Sequence, residues 1–172
     1  MAATSMYTAS IPVFQHMLKN LVHILDKGAA HAETRKVDPA ALTTFRLFPD
    51  MLPFTRQVLI ACDAAKNGVA RVSGVEAPKF EDKEATFDEL KARIQKTADY
   101  LASVPASALD GAEDKEITFP AGGGNRTMKA QAYLFTWVMP NFYFHTVTAY
   151  DILRHNGVEL GKRDYLVGSQ QS

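Results

Sequence analysis

Four times along the chain, large apolar side chains return every three or four residues, the spacing that lines them up on one face of an α-helix. The first stripe is Phe14, Met17, Leu18, Leu21 and Leu25, between Ile11 and Lys27, with Ser10 and Pro12 as start signals and Gly28 as the stop. The second is Phe54, Val58, Cys62, Ala65, Val69 and Val72, in a helix that starts at Pro49 or Pro53 and runs to Ser73, before Gly74. The third, Phe87, Leu90, Ile94 and Leu101, follows the capping-box sequence Thr86-Phe87-Asp88-Glu89 and ends before Pro105. The fourth begins near Ala132, is kinked or restarted at Pro140, and reaches Asn156 with Gly157 as a left-handed cap. One-sided helices must bury their stripes against one another, so the pattern predicts an all-α four-helix bundle in one domain spanning residues 1–172.

The connections differ in character. Gly28 to Phe48 contains Asp38-Pro39 and little periodicity, so it is expected to be a long crossover, with His31 and Glu33 as solvated loop residues. Val75 to Ala85 is expected to be a polar loop. Between helices three and four, Ile117-Thr118-Phe119 and Thr127-Met128-Lys129 flank Gly122-Gly123-Gly124-Asn125, which predicts a small β-hairpin. The glycines do not form a phosphate loop, because no Gly-Lys-Ser/Thr follows them. The charged segment Gly161-Lys162-Arg163-Asp164-Tyr165 is expected to be a solvated tail.

Lys plus Arg and Asp plus Glu number 19 each, so no net field draws this chain to nucleic acid or to an anionic membrane. No apolar run approaches the roughly 20 residues of a membrane span, and Met1 to Ser10 has no signal-peptide pattern. Cys62 is the only cysteine, which excludes an internal disulfide and fits a cytoplasmic protein. Because Cys62 lies in a core stripe and no serine motif stands out, no nucleophilic triad can be assembled.

On the fourth helix Asn141, His145 and Thr148 fall at i, i+4 and i+7, in one line beside the apolar stripe. With Trp137 and Gln57, at the edge of the second helix's stripe, they are the candidate lining of a ligand pocket. His16 and His23 point away from the core, and Arg56, Ile60, Asp63 and Asn67 form the outer face of the second helix. The fourth helix carries a second apolar side, Tyr143, Val147 and Tyr150, which leads us to expect a homodimer.

The segment from Pro140 to Gly157, with Gly161 to Leu166 after it, resembles the C-terminal signature of the domain-of-unknown-function family 1993; Arg46 to Met51 and Gln57 to Asp63 resemble its second-helix region. That family is similar to the DinB/YfiT-like putative metalloenzyme superfamily. The resemblance implies an up-down-down-up helix order with a long first crossover, frequent dimerisation, and a divalent metal held by three histidines, one on helix two and two spaced by four on helix four. His145 matches the later of that pair and is the only matching ligand position. Asn141 stands in place of the earlier histidine, and no histidine occurs between His31 and His145. Amide oxygens serve zinc or nickel poorly, so no cofactor is expected and the protein reads as a small-molecule- or partner-binding descendant with a degenerate metal site. The alternative is a transferase or isomerase dependent on a divalent metal (Ni, Zn or Fe) or a thiol cofactor and using His145.

Overall fold

The computed structural model describes residues 4–169; residues 1–3 and 170–172, which the single-domain reading also includes, lie outside the described residues. The architecture is mostly helical with one two-stranded antiparallel sheet. Helix α1 spans Ile11–Arg35, with Pro12 in its first turn, and ends at Lys36 in the left-handed conformation. It does not stop at Gly28, and His31 and Glu33 belong to its last turns. Gly28 is buried inside the helix because a Cβ there would stand 3.0 Å from Leu153 and 3.1 Å from Phe87. A helical glycine costs roughly 1 kcal/mol against alanine, and here it admits two neighbouring side chains to the backbone.

The crossover is therefore shorter than expected, and the short helix α2 (Pro39–Thr43), capped by the Asp38 carboxylate, interrupts it. Helix α3 (Phe54–Ser73) begins after Pro53 and ends at Gly74, whose φ of +76° is the left-handed cap that glycine takes without strain. Helix α4 (Phe87–Ser103) opens on the Thr86 and Glu89 capping box. Strands β1 (Glu116–Ala121) and β2 (Gly124–Lys129) pair with Ile117 opposite Met128 and Phe119 opposite Arg126. The turn falls on Gly122 and Gly123, with φ of +61° and +83°, the two positive angles a tight I′ hairpin requires.

After the hairpin, α5 (Ala130–Tyr133), a π-turn (Leu134–Val138) and α6 (Met139–His155) follow one another without a break. Pro140 has no N–H to give the preceding turn, and the wider π-turn directly before it absorbs the misfit. The rod ends at Gly157 in a Schellman arrangement: Val158 N–H donates to Leu153 and Gly157 N–H to Arg154.

Helix α3 packs mainly on α6 and α4, and α1 mainly on α4. All six residues of the α3 stripe are buried. Phe14 meets Phe142 edge-on at 5.0 Å, joining α1 to α6, and Phe54 meets Phe87 at 5.8 Å, joining α3 to α4. Each such side chain contributes about 1.5–3 kcal/mol on burial.

The C-terminal segment is not a solvated tail. Helix α7 (Lys162–Leu166) docks on α1. The Asp164 carboxylate accepts from His23 at 2.8 Å and Lys27 at 3.0 Å, while His16 and Asn20 meet the carbonyls of Leu166 and Tyr165 at 2.7 and 2.9 Å. His16 and His23 do face away from the core, but toward this segment.

Candidate functional site

The seam between α3 and α6 brings Gln57 and His145 together, with 2.7 Å between Gln57 Oε1 and His145 Nδ1. The Gln57 Nε2 group donates to the Leu52 carbonyl at 2.9 Å, so the amide oxygen is what faces the imidazole. An oxygen can only accept, which makes Nδ1 the protonated nitrogen and leaves Nε2 with its lone pair. Burial pushes the His145 pKa below the ordinary imidazole value, so the ring is neutral at neutral pH. Gln57 is itself buried and aimed inward, contrary to its expected position at the edge of the stripe.

Asn141 and Trp137, one and two turns before His145, line a cleft of ≈ 230 Å³ rather than touching the imidazole pair. Its floor on α3 is Ile60, Asp63, Ala64, Asn67 and Arg71; its other walls are the π-turn and Phe119 with Pro120 of β1. Three residues of the α3 face read as an outer one, Ile60, Asp63 and Asn67, therefore line this cleft opposite the hairpin and the π-turn, while Arg56 pairs with Asp82 outside it. Thr148 takes no part: its hydroxyl donates to the Phe144 carbonyl at 2.7 Å and completes its own helix. Of the five sequence candidates, two form a hydrogen-bonded pair, two line the adjoining cleft and one is structural.

The cleft's walls are close-fitting. Phe119 packs on Tyr133 at 4.5 Å and on Trp137 at 5.1 Å, and the Arg71 guanidinium donates to the Tyr133 hydroxyl at 3.0 Å. Beneath it lies a charged network centred on Arg93, whose side chain is 1% exposed. Arg93 pairs with Asp82 at 2.7 Å and Glu84 at 3.0 Å and lies over the Phe80 ring, which Lys66 also covers. Asp63 pairs with Lys66 at 3.0 Å and Arg56 with Asp82 at 2.8 Å, so Arg56 and Asp63 are not partners of each other. The network fastens the loop after α3 onto α3 and α4. Cys62 lies beside it, and burial pushes its thiol up to about 12, which removes it as a nucleophile.

Phe119, Tyr133 and Arg71 were not read as site residues from sequence. The nearest signal is the Asp63, Asn67, Arg71 spacing on α3, a polar line that gains meaning only once something is known to cover it.

A mostly helical chain with a hairpin before its last long helix and a polar seam between α3 and α6 is a DinB-like protein. The crystal structure of a DinB family member protein from Shewanella denitrificans is 42% identical, covering 96% of this chain and 94% of that one, with a TM-score of 0.88. This chain belongs to the family described as Domain of unknown function (DUF1993), which matches residues 6–166. No curated protein matches it.

The metal that the wider superfamily implies can be tested against the residues present. Among the described residues no group of three or more His, Cys, Asp or Glu side chains is gathered to hold an ion. The hydrogen-bond partner of His145 is the Gln57 amide, and the position one turn earlier on α6 is held by Asn141. One imidazole with two amides does not fit a nickel, zinc or iron centre. Among the described residues no helix is long and apolar enough to cross a membrane.

Proposed function

We propose that this protein is a small-molecule-binding member of its family, a cytoplasmic four-helix bundle in the up-down-down-up order, whose ligand occupies the cleft between α3 and the π-turn. The observation that carries this is the convergence of polar groups, Asp63, Asn67, Arg71 and Asn141, on a concave space walled by Phe119, Tyr133 and Trp137. Concave, aromatic-walled sites with a few convergent polar groups are where small ligands are held. The π-turn supports the same reading, since such irregularities recur at functional sites.

The metal chemistry of related proteins has been given up in this reading. The earlier helix-four ligand position holds the amide Asn141, and His145 at the later one is engaged by Gln57 in a neutral seam. A histidine that ligates a metal also donates its other N–H to a partner, so the Gln57 contact alone does not argue against an ion; the lack of companion ligands does.

Thermal shift against a library of small organic compounds tests the proposal. A compound that raises the unfolding temperature of the native protein, and does so less for Asn141→Leu than for Thr148→Val, supports it. A library that stabilises neither the native protein nor its variants sinks it. Elemental analysis of protein purified without a histidine tag is expected to give far less than one nickel, zinc or iron per chain; a stoichiometric ion lost in His145→Ala would restore the metalloenzyme.

A further inference from the structure

Two arginines frame the aromatic group of the cleft without a counter-ion. Arg71 rests on the Tyr133 hydroxyl, and the Arg126 guanidinium lies 5.6 Å from the centre of the Trp137 ring. Among the described residues neither forms an ion pair with a carboxylate. Asp63, the cleft's own acid, has Lys66 at 3.0 Å and Arg93 at 3.6 Å from its Oδ1 as counter-charges. It belongs to the network in which Arg56, Lys66 and Arg93 stand against Asp63, Asp82 and Glu84, three cations against three anions.

The cleft is thus a balanced acidic corner joined to an uncompensated basic one. A guanidinium is planar and presents paired N–H donors that match a carboxylate in two parallel bonds. Arg71 spends one N–H on Tyr133, which fixes its plane beside the rings. The apolar part of the lining includes Ile60, Ala64, Val138 and Trp137, and the volume of ≈ 230 Å³ lies below that of a drug-sized pocket, roughly 300–1,000 Å³. Such a space suits one small ring bearing one acid group.

We propose that the cleft binds a small aromatic monocarboxylate, with the carboxylate on Arg71 and the ring against Trp137. This rests on the cleft being a ligand site and adds the charge and shape of what enters it. Asn67, one turn before Arg71 on the same face of α3, supplies an amide donor to the same acid group. Arg126 raises the local positive potential without touching the floor.

Trp137 is the sole tryptophan of the chain, so its emission reports on the cleft alone. Benzoate and phenylacetate are titrated beside benzamide and phenylacetamide, their uncharged counterparts, and binding is confirmed by calorimetry. The expected result is saturable change in Trp137 emission with the acids, about tenfold or more tighter than with the amides, because hydrogen bonds between ionised partners are roughly twice as strong as neutral ones. Arg71→Gln loses that preference, and Arg71→Lys, which keeps the charge without the fork, recovers part of it; circular dichroism checks that each is folded. Amides that bind as tightly as the acids overturn the anionic ligand while leaving the cleft a binding site. Acids whose affinity is unchanged in both Arg71 variants overturn it as well. Absence of saturation with all four compounds removes this ligand class, and the cleft as a site then stands or falls on the wider library.

Discussion

The Gln57 and His145 contact exchanges two hydrogen bonds for buried polar groups: His145 Nδ1–H to Gln57, and Gln57 Nε2–H to Leu52. Removing the amide leaves a ring N–H and a carbonyl without partners, and an unmet buried group costs about 1–3 kcal/mol. Gln57→Leu is therefore expected to lose about that much stability in urea unfolding, whereas the double variant Gln57→Leu/His145→Leu loses less than the sum of the single changes. Additive losses would show that the two side chains act independently. His145 was legible in the sequence because one helix's spacing placed it beside an apolar stripe. Gln57 was legible as a residue but not in its aim, since the angle on a helical wheel does not reveal that the segment around Leu52 folds over and offers a carbonyl. Ile60, Asp63 and Asn67 were read as part of an outer face for a similar reason: the residues that face them across the cleft lie between 119 and 138, and no periodicity within α3 announces it.

The helices were the most legible elements, because caps and stripes are local. The Thr86 and Glu89 box, Gly74 and Gly157 stand where their chemistry placed them. Gly28 misled, since a glycine that ends a helix and one that admits a neighbour look alike in sequence. Gly68 is a stronger case of the second kind, for a Cβ there would come within 2.4 Å and 2.8 Å of the two methyls of Val138. Alanine gains roughly 1 kcal/mol of helix propensity, but the π-turn and α3 would have to separate, and overpacking costs about 1–3 kcal/mol. Gly68→Ala is expected to be destabilised on balance and to dampen any ligand response of Trp137, because Val138 and Trp137 share the π-turn. Adding Val138→Ala should return most of the loss. A Gly68→Ala protein as stable as the native one would mean that the π-turn is not held by this contact.

At the scale of the whole molecule, the second apolar side of α6 decides how the chain meets its surroundings. Tyr150 on that side packs against Tyr165 of the docked C-terminal segment at 6.1 Å, and Thr146 shares a hydrogen bond with the Tyr165 hydroxyl. The segment is held by Asp164: partial burial raises its pKa, but the Gly161 N–H, His23 and Lys27 outweigh this and hold it down to about 2. A carboxylate with a depressed folded pKa stabilises fully above its unfolded value of 3.8 and loses that contribution as pH falls from 3.8 toward 2. The protection of residues 162–167 against hydrogen exchange, taken relative to the intrinsic rate at each pH, is thus expected to fall in that acid window and to be low at neutral pH in Asp164→Asn, at a cost of roughly 1–2 kcal/mol; equal protection in the two proteins would show that Asp164 does not hold the segment. Of that side Val147 is left bare, 41% exposed, and next to it on α6 Phe144 is 57% exposed and, beyond the Gln57 and His145 pair, Leu52 44%. Phe144 and Val147 lie three residues apart on α6, the Phe144 ring is 5.2 Å from that of His145, and Gln57 joins His145 to the main chain at Leu52. We expect a homodimer to form over this strip, with its apolar centre supplied by Phe144 and its polar rim by neighbouring residues, within the roughly 1,200–2,000 Å² that stable pairs bury. Sedimentation of the native protein at micromolar concentration should give twice the chain mass, and Phe144→Glu should give a folded monomer, because a charge at the centre of such an interface has no partner. A native protein that sediments as a monomer removes the dimer and leaves Phe144 an exposed ring without a role, while a Phe144→Glu dimer moves the interface to another face.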